Sequence, residues 1–190
     1  FGAAQNNGIV VKHGEVFSLN QYFVNVDAEH GWSTGLSIVG DKIYPIYGGG
    51  ICQVSSTAYR AALMAGLPIV ERTNHAYAVS FYTAPYGVPG IDATVYNPGV
   101  DFKFRNDTGA YILIQTVISG TTLKFDFYGT KVRSGRIRGP FFVEGSLDDT
   151  KPSTTIFYRD ILDLAGNVTS TDPVTTHYKS SLDFKHVDTP

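Results

Sequence analysis

Gly48-Gly49-Gly50-Ile51-Cys52-Gln53-Val54-Ser55-Ser56-Thr57 is the stretch on which the reading of this chain turns. Three consecutive glycines permit positive φ and a close backbone approach, at an entropic cost that a plain connector has no reason to bear. Directly after them the spacing predicts a helix from Gln53 to Ala65. Val54, Ala58, Ala61, Ala62 and Ala65 recur every three to four residues, and alanine favours the helical state. Gly66 ends the pattern and Pro68 prevents its resumption. The small residues of that stripe let the helix sit close against a sheet.

Outward from the helix the chain reads as β. Ile9–Val11 is a predicted strand and Gly14 to Asn20 an extended segment. Leu36–Val39 and Lys42–Tyr47 pair as a hairpin around Gly40-Asp41. Ile69–Arg72 and Ala76–Tyr82 read as strands on either side of Thr73-Asn74-His75. A Gly/Pro-rich loop from Pro85 to Gly90 leads to Ala93–Tyr96. Asp101–Phe104, Tyr111–Ile118 and Thr122–Tyr128 then alternate as strands, the last two as a meander. After Gly129 the composition shifts: residues 131–153 carry Gly, Pro, Ser and Asp with only short apolar runs. Residues 154–162 and 167–178 read as a hairpin around Asp163-Leu164-Ala165-Gly166-Asn167. The expected architecture is α+β, mostly antiparallel sheet with one central helix carrying the cysteine at its N-terminus and a C-terminal β-hairpin appendage. Two units are expected: a core over residues 1–130 and a β-rich extension over 131–190 packed on it, without evident catalytic groupings.

Composition agrees. Of 190 residues, 43% are hydrophobic and 17% charged, enough for a real core and too apolar for a disordered chain. Aromatics reach 13%, nearly all Tyr and Phe, beside 20 glycines, a mixture that favours strands and turns over long helices. A net charge of −2 leaves no electrostatic footprint for nucleic acid. No run of apolar residues is long enough to span a membrane. The chain opens on Phe1-Gly2 rather than on methionine, so a fragment or mature form is expected. One cysteine excludes an intrachain disulfide and avoids scrambling in an oxidising compartment, which points mildly to an extracytoplasmic home.

Cys52 falls at the start of the helix, where unpaired N–H groups and the positive end of the dipole favour a thiolate. The preceding glycines, Gly49 and Gly50 among them, clear space for a substrate carbonyl and leave backbone N–H groups for an oxyanion. A free cysteine is also simply a small buried hydrophobe, and the residues alone leave both readings open. His75 is the natural base, in a break between two predicted strands, and the competing reading is a turn histidine without chemistry. His13, His30, His177 and His186 lack comparable surroundings. One cysteine and scattered histidines show no ligand spacing, so neither metal nor cofactor is expected.

Four ordered motifs resemble the signature of the VanW family. They are Gly48 to Thr57 quoted above; Glu71-Arg72-Thr73-Asn74-His75; Gly90-Ile91-Asp92-Ala93-Thr94-Val95; and Asp101-Phe102-Lys103-Phe104-Arg105-Asn106. Gly14-Glu15-Val16-Phe17-Ser18-Leu19-Asn20 resembles that family's entry segment, and the resemblance runs from Gly8 to Gly129. It implies an exported, membrane-anchored, cell-wall-facing protein of a Gram-positive bacterium, from a family named for glycopeptide resistance. It also implies a peptidoglycan L,D-transpeptidase that joins stem peptides in 3→3 cross-links through a cysteine nucleophile, which Cys52 matches. YkuD-type L,D-transpeptidases place their histidines before the cysteine, so the order here would be a separate solution to the same chemistry.

The expected roles follow. Cys52 attacks the carbonyl of the stem's diamino acid and the Gly50–Gln53 backbone holds the oxyanion. His75 protonates the departing D-alanine amine, and Asp92 orients His75 as third member of a triad. Arg72 holds a substrate carboxylate by a bidentate contact, or pairs with Glu71 or another acid. Asp92 likewise has the alternative of closing a loop. Gly49, Gly50, Gln53 and Ser55 line the substrate surface, Gln53 as a side-chain donor to the oxyanion. Ser55, Ser56 and Thr57 read as first-turn helix residues rather than nucleophiles. Two rival functions are a peptidoglycan cysteine amidase or endopeptidase, and a non-catalytic cell-wall binding module.

Overall fold

A computed structural model describes residues 1–39 and 42–183. Eleven strands and one α-helix follow one another along these residues, an α+β arrangement of antiparallel sheets. The order is β1 (Ile9–Val11), β2 (Val16–Ser18), β3 (Thr34–Val39), β4 (Lys42–Tyr47), α1 (Ile51–Met64), β5 (Ile69–Glu71), β6 (Lys103–Arg105), β7 (Ile112–Ser119), β8 (Thr122–Tyr128), β9 (Ser134–Glu144), β10 (Ser153–Leu162) and β11 (Val168–Tyr178). Three sheets have three strands each, in the orders β1-β7-β8, β2-β6-β5 and β11-β10-β9, and β3-β4 form a hairpin. The Gly40-Asp41 turn expected in that hairpin lies outside the described residues.

Helix α1 begins two residues earlier than its apolar stripe implies, because Gly50 adopts a left-handed conformation (φ 95°) that turns the chain into the first helical residue. Its end follows the expected logic. Gly66, at φ 70°, donates to Leu63 O at 3.1 Å, and Leu67 N donates to Ala62 O at 3.0 Å. That pair of bonds is a Schellman cap, and it satisfies carbonyls that the helix itself leaves open. Val54, Ala58, Tyr59, Ala62 and Leu63 are buried and join Phe102, Phe104, Ile112, Ile114 and Phe125 in the core.

Two expectations are corrected. Ala76–Tyr82 is not a strand; it is an irregular loop ending in a 3-10 turn at Ser80–Tyr82. It has inward-pointing aromatics, Tyr77 and Tyr82, without a neighbouring strand to complete a ladder. Its backbone is held instead by single contacts, among them Lys179 N to Ala76 O at 2.8 Å. The expected C-terminal hairpin is present as β10 and β11, and β9, where no strand was expected, extends it to a three-stranded sheet. Strand β9 occupies part of the stretch whose Gly and Pro content argued against a strand. It is an edge strand with register shifts against β10, a position where Gly139 and Pro140 interrupt the ladder at little cost.

This C-terminal sheet grips α1. Phe157 of β10 is fully buried within the core cluster. Arg133 donates to Gly66 O at 2.8 Å and Arg159 to Leu67 O at 2.7 Å, so two cations sit on the carbonyls past the helix C-terminus, where the dipole favours positive charge.

Candidate active site

Cys52 is the second residue of α1, half-buried, with its sulfur 3.4 Å from Thr94 Oγ1 and 3.7 Å from the Val95 carbonyl. The strand-like segment 92–95 is fixed to the helix by two serines. Ser55 Oγ donates to Ala93 O at 2.5 Å. Ser56 Oγ lies 3.1 Å from the same carbonyl and accepts from Ala93 N at 3.0 Å. Ser55 is therefore a buried fastener between helix and loop, and the substrate contact expected of it is corrected. The signal for Thr94 was present in the sequence, inside the motif that carries Asp92, but nothing in the motif tells which of its side chains reaches the thiol.

His75 and Asp92 are in contact. His75 Nδ1 lies 2.6 Å from Asp92 Oδ2, and the His75 backbone N–H donates to the same oxygen at 2.8 Å. An ionised carboxylate only accepts, so Nδ1 carries a proton and Nε2 is the atom left to exchange one with the thiol. The imidazole stacks on Tyr82 with ring centroids 4.9 Å apart and 22° between planes. Both His75 and Asp92 are buried, at 7% and 2% exposure, which removes competing water from the pair.

Arg72 does not face a substrate. Nε donates to Asp92 O at 2.7 Å, Nη1 to Thr176 Oγ1 at 3.1 Å, and Nη2 to Gly90 O at 3.0 Å and Asp92 Oδ1 at 3.3 Å. Its guanidinium also lies 5.2 Å above the Tyr59 ring. With the fork spent inside the protein, the carboxylate clamp expected of Arg72 is corrected: Arg72 holds the loop that presents Asp92.

The glycine turn divides its work. A Cβ on Gly49 would overlap the backbone of Gly35 in β3, so Gly49 clears space for a neighbouring chain rather than for substrate. Gly50 opens to free space. The N–H groups of Gly48, Gly49, Ile51 and Gln53 are bound to the carbonyls of Ser33, Ile46, Gly48 and Gly50. Those of Gly50 and Cys52 meet no backbone acceptor among the described residues. Gln53 is exposed and lines two cavities. One, about 230 Å³, is bounded by Trp32, Gly49, Gly50 and Leu123. The other, about 260 Å³, is bounded by Ser56, Thr57, Arg60, Phe81 and Tyr82. The Cys52 sulfur lines neither. No cluster of His, Cys, Asp and Glu among the described residues is arranged to hold a metal ion.

The electrostatics bind these parts together. Burial pushes the Cys52 thiol up, but the His75 imidazole, Thr94 and the Val95 carbonyl outweigh it and hold the thiol below its ordinary 9.0. Burial pushes His75 down, yet Asp92 and Cys52 raise it to about 9. Burial likewise raises Asp92, and His75 and Arg72 overcome it, keeping the carboxyl ionised. The signs oppose each other in the way an ion pair requires. The raised histidine contributes stability that is complete below its ordinary 6.5 and is lost as pH climbs through about 9. The lowered thiol contributes stability present above 9.0 and lost as pH falls through its folded value. Alkylation of Cys52 by iodoacetamide is therefore expected to retain its rate below pH 9, and His75→Ala to move the midpoint upward, because burial then acts with less opposition. Rate-versus-pH curves for the two proteins check this.

An α+β frame that holds a helix-borne cysteine against a buried histidine–aspartate pair defines a Cys–His–Asp site. The chain belongs to the VanW family: residues 1–128 match the family model described as VanW like protein. It is 39% identical over 129 residues to the Bacillus subtilis (strain 168) protein called uncharacterized protein YoaR, covering 68% of this chain and 41% of that one. It is 33% identical over 104 residues to the vancomycin B-type resistance protein VanW of Enterococcus faecalis (strain ATCC 700802 / V583), covering 54% of this chain and 37% of the relative. The chain thus spans less than half the length of these relatives. No solved structure matches it.

Proposed function

We propose that this chain is the acyl-transfer module of a cell-wall enzyme, a peptidoglycan L,D-transpeptidase working through Cys52. The observation that carries the reading is the pairing of the helix-start thiol with an imidazole whose far nitrogen is fixed on a buried carboxylate. The donor is a tetrapeptide stem. Cys52 Sγ attacks the carbonyl of the L-centre of its diamino acid, and the Gly50 and Cys52 N–H groups receive the developing oxyanion. The C–N bond to D-alanine breaks as His75 Nε2 gives its proton to the departing amine, leaving a thioester. The side-chain amine of an acceptor stem then attacks that carbonyl, surrenders a proton to Nε2, and the C–S bond breaks to return the thiolate.

Two cavities share Gln53, the residue next to Cys52, and transfer to an amine needs a second peptide groove where hydrolysis does not. A cell-wall setting agrees with a relative named for vancomycin resistance. The same reading places the protein outside the cytoplasmic membrane; no helix of the described residues is long and apolar enough to cross one.

Incubation with purified tetrapeptide muropeptides and mass analysis of the products tests the proposal. Dimers carrying a 3→3 bond, or stems with an exchanged terminal D-amino acid, are the expected result. Free tripeptide and D-alanine alone would replace the transpeptidase with a hydrolase. Binding without turnover would leave a wall-binding module.

A further inference from the structure

We infer that Tyr178, on the last strand of the C-terminal sheet, is a positioning residue for the Cys52–His75 pair, acting through the Asp92 carboxylate that its phenol grips. The inference rests on the reading of Cys52 and His75 as nucleophile and proton carrier, and it assigns to residues beyond 128, where the family match ends, a part in that site.

The phenol of Tyr178 donates to Asp92 Oδ1 at 2.5 Å, and Tyr178 itself is 4% exposed. Asp92 is thereby surrounded. Oδ2 takes the two His75 bonds, and Oδ1 takes Tyr178 and the longer 3.3 Å contact from Arg72. The fold alone does not ask for a hydroxyl at position 178, because His75 and Arg72 already satisfy the carboxylate on both oxygens, and phenylalanine would fill the same volume. What the phenol adds is a fixed share in the carboxylate's charge on the side away from the imidazole. A carboxylate whose charge is drawn toward a donor grips the opposite proton less tightly. His75 is then better able to release its proton to a leaving amine.

The rest of β11 supports the same loops. Thr176 Oγ1 accepts from Arg72 and lies 3.3 Å from Gly90 O, while Asn74 Nδ2 donates to His177 O at 2.9 Å. The strand therefore touches both segments that carry the site, one bearing His75 and the other Asp92. The charged and titratable groups facing these two are Cys52, Tyr82, Arg60, Arg72, Tyr59 and Tyr178. Of these, Tyr178 is supplied by the C-terminal sheet and donates directly to the carboxylate.

The test reads His75 itself, in the whole chain and without substrate. In Tyr178→Phe the carboxylate keeps its His75 and Arg72 bonds and loses the phenol, so the imidazole midpoint, followed by NMR, is expected to rise by about half a unit to one unit. 3-Fluorotyrosine at position 178 keeps the shape and strengthens the donor, and the midpoint is expected to fall. With muropeptides, Tyr178→Phe is expected to lower kcat about tenfold at unchanged KM, the signature of impaired proton delivery. A His75 midpoint that ignores both replacements overturns the inference, even where Tyr178→Phe lowers Tm, since a purely structural role would move stability alone. Should Tyr178→Phe fail to fold, the fluorotyrosine arm decides. Midpoints that shift as expected in a protein that turns over no muropeptide would sink the proposed reaction and leave the role of Tyr178 standing.

Discussion

Cys52→Ala is expected to remove muropeptide turnover, by about 10⁴-fold or more, while leaving the fold and the affinity for stem peptides in place. The size follows from the loss of the bond-forming atom: a site stripped of its nucleophile retains only what positioning and oxyanion donors provide. The selectivity follows from the surroundings of the sulfur. Its polar neighbours are Thr94 Oγ1 and the Val95 carbonyl, while the helix start is pinned to the 92–95 segment by Ser55 and Ser56 rather than by the thiol. Removing the sulfur leaves those fasteners untouched. Intact-mass detection of an acyl adduct supplies the complementary measurement: wild type incubated with a carbapenem or with donor stem is expected to gain mass on Cys52, and the alanine variant to gain none. Full cross-linking activity in Cys52→Ala would end the nucleophile assignment.

The second large effect concerns stability. Gly135→Ala is expected to destabilise the chain by about 3 kcal/mol or more, read as a fall in Tm of about 10 °C. Gly135 is buried where β9 crosses the last turn of α1, and a Cβ there would overlap the carbonyl oxygen of Leu63. The contact is backbone against backbone, so no flexible side chain is available to swing away. Relief requires β9 to lift from the helix, and that movement pulls on Arg133 and Arg159, whose guanidinium groups bind Gly66 O and Leu67 O at the same end. Thermal unfolding of Gly135→Ala beside wild type checks the figure; an unchanged Tm would mean that the crossing is looser than the overlap implies. The catalytic consequence is expected to track the stability loss, since β11, which carries Tyr178, belongs to the same sheet as β9.

These two results bear on different parts of one joint. The helix brings the sulfur at its N-terminus, and the C-terminal sheet, clamped at the helix's other end, returns along β11 to the Asp92 loop. The site is therefore a closed circuit of contacts rather than a pair of residues on a surface. This is why Arg72, read from the sequence as a hand for substrate, is committed inward. Four donor contacts tie it to Gly90, Asp92 and Thr176, and its burial would be costly without them.

By itself the sequence determined the helix, its glycine start and its Schellman end, because 3.6-residue periodicity and the backbone freedom of Gly50 and Gly66 are local properties. It also singled out Cys52, His75 and Asp92 as the candidate site, through ordered motifs that set a lone thiol before a histidine and an aspartate, and the fold joins His75 to Asp92. Tertiary structure alone decided what the remaining polar groups touch. An arginine's donors look the same in a sequence whether they face water or a buried carboxylate, and Ser55 reads alike as a helix residue and as a fastener. Strand β9 was hidden because glycine and proline argue locally against a strand, an objection that an edge position removes. Tyr178 was hidden for a simpler reason. It lies 86 residues from Asp92 along the chain, and a contact of that kind exists only once the sheet has closed over the helix.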